Sequence, residues 1–158
     1  MCEYCGCQSL ASIDELTREH DEVVRLISHL RPAHEAGDVP RMTRVAREIE
    51  AVLGPHTRVE ERGLFPSMAE DFPEQIAALE AEHRHVDEVL AQAADGGTAG
   101  DPAWPDRLME AMAVLRDHIL KEQDGVFPAA LATLGTEQWA ALDAVREQEG
   151  GVLPRPVG

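Results

Sequence analysis

The chain of 158 residues has few aromatic residues, no long apolar run and little positive charge. Aromatic residues make up 4% of it, against 44% hydrophobic and 28% charged residues, a balance typical of one helical domain in water. No segment approaches the roughly 20 apolar residues of a membrane span. The formal net charge is −16, which argues against binding to nucleic acid or an anionic membrane, because both require positive charge. The excess of acidic residues suits a protein that holds cations.

Cysteine is also scarce, and all three residues, Cys2, Cys5 and Cys7, lie in the opening MCEYCGC. This N-terminus has neither the basic region nor the apolar run of a signal peptide, so we expect a cytoplasmic protein. We assign residues 1–11 to a Cys-rich tail. Its C-x-x-C-x-C spacing resembles a metal site, but a tetrahedral thiolate site needs a fourth ligand. A reversible disulfide and a flexible tail without a defined role are the alternatives.

Strand signals are missing as well, since the sequence has no alternating apolar runs and no Asn-Gly hairpin turns. Apolar residues instead recur at the spacing of helices, and the predicted helices are Ser12–Ala36, Asp38–Ala69, Pro73 to the segment DGGTAG, residues 105–133, and a short fifth helix at 136–148. Four long helices with short joints predict an all-α, antiparallel up-down-up-down four-helix bundle over residues 12–149. Residues 150–158 are expected to form a flexible tail.

Local signals mark the ends and irregularities of these helices. SIDE predicts a capping box with Ser12 as the N-cap, and Asp38 is a plausible N-cap for the second helix. Pro55 follows Gly54 inside the second helix, so we expect a kink there.

One eleven-residue phrase occurs twice in the chain. HTRVEERGLFP begins at His56 and HILKEQDGVFP begins at His118, so both copies read H-x-x-x-E-x-x-G-x-F-P. His20 lies 36 residues before His56, and His83 lies 35 residues before His118, each directly after a glutamate. The sequence therefore describes two helical hairpins of one design, with Glu-His on the first helix and His-x-x-x-Glu on the second.

The repeat predicts a cluster of metal ligands inside the bundle. Residues i and i+4 share one face of a helix, and the neighbouring apolar positions turn that face inward. The two hairpins would therefore bring together His20, His56, Glu60, His83, His118 and Glu122. Unpaired, each buried polar group would cost about 1–3 kcal/mol, a large share of the ~5–15 kcal/mol that stabilises a domain.

Two bound metal ions would remove that cost, because each glutamate can bridge them at a separation of roughly 3.5–4 Å. The mixed nitrogen and oxygen donors suit Fe, Mn or Zn better than Mg or Ca. A single His-x-x-x-Glu is usually a surface salt bridge, but two copies on inward faces favour the metal interpretation.

These motifs resemble those of hemerythrin-like (HHE) cation-binding domains over about residues 12–134. The resemblance implies a four-helix bundle around a non-haem di-iron centre with the six residues above as ligands. It makes Glu60 and Glu122 the bridging carboxylates, with an oxo or hydroxo bridge between two Fe ions. The third helix departs from oxygen-carrying hemerythrins, because Asp87 stands where they have a second histidine. Asp87 could be a seventh ligand, an outer partner of His83 or a solvated charge, and we favour the outer partner.

The expected function is to bind or consume a small oxidant: O2, hydrogen peroxide or nitric oxide. A redox partner is possible, and the oligomeric state is open. One alternative is an iron- or oxygen-responsive sensor that acts through a partner protein, and another is enzymatic turnover such as peroxide disproportionation. A substrate oxygenase is disfavoured because the only tyrosine, Tyr4, lies in the tail.

Overall fold

The structure, a computed structural model, describes residues 5–94, 100–151 and 153. Within these residues the chain forms eight α-helices and two π-helices, and no strand. In chain order the elements are α1 (Cys5–Ser28), α2 (Leu30–Glu35), α3 (Val39–Val59), the π-helix π1 (Glu60–Leu64), α4 (Phe65–Met68), α5 (Pro73–Ala94), α6 (Trp104–Lys121), the π-helix π2 (Glu122–Val126), α7 (Phe127–Thr133) and α8 (Thr136–Glu149). The predicted all-α class is confirmed.

The helices before α8 join end to end into four helical rods, which form the antiparallel bundle. Helix α8 packs on the outside of this bundle. The rods are α1 with α2, α3 continued by π1 and α4, α5, and α6 continued by π2 and α7. Helix α3 packs against α1 and α5, and α5 also packs against α6. No helix in the described ranges combines the length and the apolar character that a membrane crossing requires.

The first helix begins earlier than the sequence predicted. Helix α1 starts at Cys5, so residues 5–11, predicted to be a tail, form its first turns. Ser12 is therefore not an N-cap: its hydroxyl oxygen lies 2.9 Å from the Gln8 carbonyl and 3.0 Å from Asp143 of α8, and its one proton serves either acceptor. Such a bond to the preceding turn lets a serine stay inside a helix. Cys7 is disulfide-bonded, and Cys2 lies outside the described residues.

The second rod begins at its predicted cap and changes helix type within its length. Asp38 caps α3 as expected, its carboxylate accepting from the Arg41 N–H at 3.1 Å. Helix α3 then continues through Pro55 as an α-helix, and the kink expected there stays a prediction. The break in α-helical geometry comes at π1, which begins at Glu60.

Both copies of the repeated phrase form a π-helix that starts at their glutamate. The Phe65 N–H donates to the Glu60 carbonyl, and the Phe127 N–H donates to the Glu122 carbonyl, each across five residues. A proline follows each phenylalanine, in the first turn of the next α-helix, where a missing N–H costs little. The glycine of each phrase thus lies in a wide turn that opens at the glutamate and is closed by the phenylalanine. Such turns are frequent at functional sites.

Apolar side chains form two core clusters, one on each side of the repeated histidines. Along α1, for example, Leu16 belongs to one cluster and Val23 to the other, with His20 between them. Along α5 the same alternation runs from Leu79 through His83 to Val86. The polar positions therefore lie in one layer across the bundle, closed above and below by hydrocarbon.

Helix α8 breaks the approximate twofold likeness of the two hairpins. It packs against π1 and α1, and a Cβ placed on Gly63 would lie 3.1 Å from the Leu142 Cα. At the equivalent Gly125 of π2, a Cβ would meet no described atom within 4 Å. The face of π2 instead borders an open groove of about 470 Å³, lined mainly by apolar residues of α4, α5 and α7.

Candidate metal centre

All six residues that the sequence singled out meet in the layer between the two core clusters. His20, His56, His83 and His118 come from α1, α3, α5 and α6, while Glu60 and Glu122 open the two π-helices. Each of the six is at most 3% exposed. They form two groups, in each of which the candidate donor atoms lie within 4.8 Å of one another. One group holds His20 and His56, the other holds His83 and His118, and both glutamates belong to both groups.

Each glutamate contacts one histidine from each hairpin. Glu60 Oε1 lies 2.6 Å from His56 Nε2 and 3.8 Å from His83 Nε2. Glu122 Oε1 lies 3.0 Å from His20 Nε2 and 3.5 Å from His118 Nε2. The centre is therefore shared between the hairpins rather than divided into one half for each.

Most donor atoms at this centre have no hydrogen bond of acceptable geometry to any described residue. They are Nε2 of His20, His56 and His118, together with both carboxylate oxygens of Glu60 and Glu122. A buried polar atom without a partner costs about 1–3 kcal/mol. Imidazole nitrogens and carboxylate oxygens are the donors that transition metals take, so these residues fit a metal-binding centre.

The outer nitrogen of each of the four rings, Nδ1, by contrast lies close to a side-chain oxygen. Nδ1 lies 2.9 Å from a Glu19 oxygen in His56 and 3.0 Å from a Glu82 oxygen in His118. In His20 it lies 3.1 Å from the Gln123 amide oxygen, and in His83 it lies 3.3 Å from a Glu61 oxygen. An oxygen acceptor at Nδ1 favours the proton on that nitrogen and leaves Nε2 free to bind a metal.

A protein-family model for the hemerythrin HHE cation-binding domain matches residues 11–130. The chain belongs to the hemerythrin HHE family. No curated protein and no solved structure matches it. The match covers the four rods of the bundle and stops before α8, and the cation-binding character of the family agrees with the buried His and Glu groups.

The outer partners in this HHE domain include residues that the sequence analysis missed. Glu19 and Glu82 were noted only as part of the Glu-His pairs, whereas Glu61 and Gln123 were not singled out. The signal was present, since Glu61 and Gln123 follow Glu60 and Glu122 at equivalent positions of the repeated phrase.

Arg146 of α8 is a further residue that no motif indicated. Its guanidinium donates from Nη1 to Glu19 Oε2 and from Nη2 to Glu19 Oε1, both at 2.8 Å. Arg146 is 4% exposed and Glu19 is 1% exposed, so this is a buried bidentate pair. It is linked to the centre through His56, and no sequence signal connects positions 127 residues apart.

The two phenylalanines of the repeat cover the histidines of the opposite hairpin. Phe127 stacks on His20 with ring centroids 5.5 Å apart, and Phe65 stacks on His83 at 5.7 Å. These contacts shield the rings from water and fix their planes.

Asp87 does not take the role that we favoured for it. His83 Nδ1 is engaged by Glu61, so the interpretation of Asp87 as its outer partner was wrong. Asp87 is exposed and is not among the residues of the two groups. Burial nevertheless raises the pKa of Asp87 above its ordinary value, so the solvated-charge alternative fits only in part.

Burial and the paired carboxylates set the charges at the centre. Burial lowers the pKa of His20 and of His118 to about 4, so both rings are neutral near pH 7 and can bind a cation. Burial opposes protonation of His56 too, but the carboxylates of Glu60 and Glu19 outweigh it and raise its pKa to about 9. The same ion pair overcomes the burial of Glu60 and lowers its pKa to about 2. Metal binding at His56 would therefore displace a proton.

Proposed function

We propose that this HHE domain holds two iron ions at the six-residue centre and uses them to bind or consume O2, hydrogen peroxide or nitric oxide. The observation that carries the proposal is that Glu60 and Glu122 each belong to both donor groups. One shared carboxylate could be an accident of packing, but two, each between histidines of different hairpins, describe a site for two ions. Bound iron would supply the electrons and the open coordination positions that a small oxidant needs.

The protein's own part is to position donors and to exclude water. The Nδ1 contacts hold the four imidazoles with Nε2 toward the centre, so little rearrangement is needed on binding. Under the proposal, the four imidazoles and the two shared glutamates would hold the ions, and the two core clusters keep the layer dry.

Metal analysis together with the visible spectrum tests the proposal. The apoprotein is loaded with Fe²⁺ without air, desalted and then exposed in turn to O2, peroxide and nitric oxide. We expect about two irons per chain by the two-ion argument and near-ultraviolet bands after oxidation. Reversible spectral changes indicate a carrier, and loss of added peroxide indicates a scavenger. A protein that retains zinc and does not bind iron would contradict the redox function.

The alternative, a sensor that acts through a partner protein, is favoured by one feature, the open groove beside π2. Phe72, Val126 and Ala129 line it and are partly buried apolar residues. Because Glu122 is the first residue of π2, metal occupancy could alter this surface. Hydrogen exchange of residues 122–129 with and without metal checks this, and unchanged exchange speaks against a sensor.

A further inference from the structure

The direct donors around the two metal positions are alike. We call the position at His20 and His56 site A and the position at His83 and His118 site B. Each has two imidazoles and both shared glutamates. Any difference between two bound ions must therefore arise from the groups that contact the outer nitrogens of the rings.

Those groups differ by one charge at equivalent positions of the repeat. Gln123 lies 62 residues after Glu61, as Glu122 does after Glu60. The neutral amide of Gln123 faces His20 Nδ1 in site A, whereas the carboxylate of Glu61 faces His83 Nδ1 in site B. The other ring in each site has a carboxylate partner, Glu19 or Glu82. We call the groups that contact Nδ1 of the rings the ring partners. Their net charge is 0 − 1 = −1 in site A and −1 − 1 = −2 in site B.

The next layer of charges does not cancel this difference. Arg146 neutralises Glu19 from a buried position, with Glu15 3.6 Å away from its guanidinium. Beside site B, Lys121 lies 2.7 Å from Glu82 but is 54% exposed, so water screens most of its charge. The positive charge of Arg146 therefore offsets the negative charge of a ring partner at site A. The positive charge of Lys121 does so only weakly at site B.

Negative charge and carboxylate hydrogen bonds on a ligating imidazole increase its donation to the metal and stabilise the higher oxidation state. We propose that the two iron positions are electronically unlike, so that site B loses its electron first and site A keeps its electron in the half-oxidised protein. Glu61 and Gln123 determine this order. The inference rests on the proposed di-iron function.

A pair of opposite substitutions tests it. Glu61→Gln gives ring partners of −1 in both sites, and Gln123→Glu gives −2 in both, with almost no change of shape. The iron-loaded proteins are titrated with ferricyanide, which accepts one electron per step from the iron pair and becomes ferrocyanide. Both midpoint potentials are recorded, and the half-oxidised state is followed by electron paramagnetic resonance.

We expect the two midpoints to be separated in the native protein and to approach each other in both single variants. They approach because Glu61→Gln raises the lower potential, whereas Gln123→Glu lowers the higher one. The double variant, Glu61→Gln with Gln123→Glu, exchanges the two ring partners. Because Arg146 still offsets Glu19 at site A, the two midpoints should then lie closer together than in either single variant. A residue that only supported the fold would not give narrowing in both single variants and further narrowing in the double variant.

Asp106→Asn is the matched control, because it removes one carboxylate that is paired with the half-exposed His34 and belongs to neither donor group. It should leave both potentials in place. Midpoints that stay unchanged in both single variants, at full iron content and with the native spectrum, would overturn the inference and leave the di-iron function standing. Failure to load iron would overturn both, and metal analysis shows this before any potential is measured.

Discussion

The docking of α8 on π1 predicts opposite effects of one substitution at the two equivalent glycines. Glycine in a helix costs about 0.5–1 kcal/mol relative to alanine. Gly125→Ala should therefore stabilise the protein by about that amount, since a Cβ there meets no described atom within 4 Å.

At Gly63 the same gain in stability is opposed by a steric contact with α8. The new Cβ would lie 3.1 Å from the Leu142 Cα, 3.4 Å from its Cγ and 3.5 Å from the Val145 Cβ. Because the nearest atom is backbone, α8 as a whole must shift, and such overpacking costs about 1–3 kcal/mol. The gain from removing glycine does not cover this, so the two variants should differ in unfolding free energy by about 1–3 kcal/mol.

Urea denaturation of the two metal-free variants beside the native protein measures this difference. At this chain length, thermal midpoints should move by about 2–4 °C for each kcal/mol. If Gly63→Ala stabilises the protein as much as Gly125→Ala, α8 does not press on π1, and its role in placing Arg146 near the centre is wrong.

Three further predictions concern the ligands, the outer partners and pH. His56→Ala should lower bound metal and remove the stabilisation that metal gives, whereas His34→Ala, at a side chain 35% exposed, should do neither by metal analysis and thermal melting. Arg146→Met leaves its buried carboxylate partner uncompensated and should lower the free energy of unfolding, measured by urea denaturation, by about 3–5 kcal/mol. Lys121→Met, at an exposed pair, should lower it by less than about 1 kcal/mol. Equal losses in the two variants would refute the burial argument. Since burial lowers the pKa of His20 to about 4 from an ordinary value of 6.5, the unfolded chain binds more protons between those values. The stability of the metal-free protein should therefore fall as pH decreases through that window, and a flat profile would contradict the lowered pKa.

The sequence predicted the bundle and its six-residue layer because both depend on local periodicity. A helix fixes which residues share a face, so His56 and Glu60 could be assigned to one side from their spacing alone. The neighbouring apolar positions then indicated that this side faces inward. The predicted starts of the third, fourth and fifth helices, at Pro73 and at residues 105 and 136, lie within one residue of the observed ones.

Other features depended on contacts that local patterns do not encode. The predicted start of α1 was too late, because the sequence pattern indicated Ser12 as an N-cap. In the structure the Ser12 hydroxyl instead lies against the preceding helical turn and against α8. The π-helices have no simple sequence signature, so neither of them was predicted. The role of Arg146 depends on how α8 packs, and Asp87 could be judged only once Glu61 was seen to engage His83.

The repeat itself has a physical explanation in the sharing of the two glutamates. Glu60 contacts His83 of the other hairpin, and Glu122 contacts His20, so neither hairpin contains all four residues of either donor group. The phenylalanines also act across the bundle, each stacking on a histidine of the opposite hairpin. Two copies of the phrase are therefore required because each copy supplies the glutamate that the other donor group lacks. Beyond the residues that meet this requirement, the copies were free to diverge, and at Glu61 and Gln123 they did so by a single charge beside the centre.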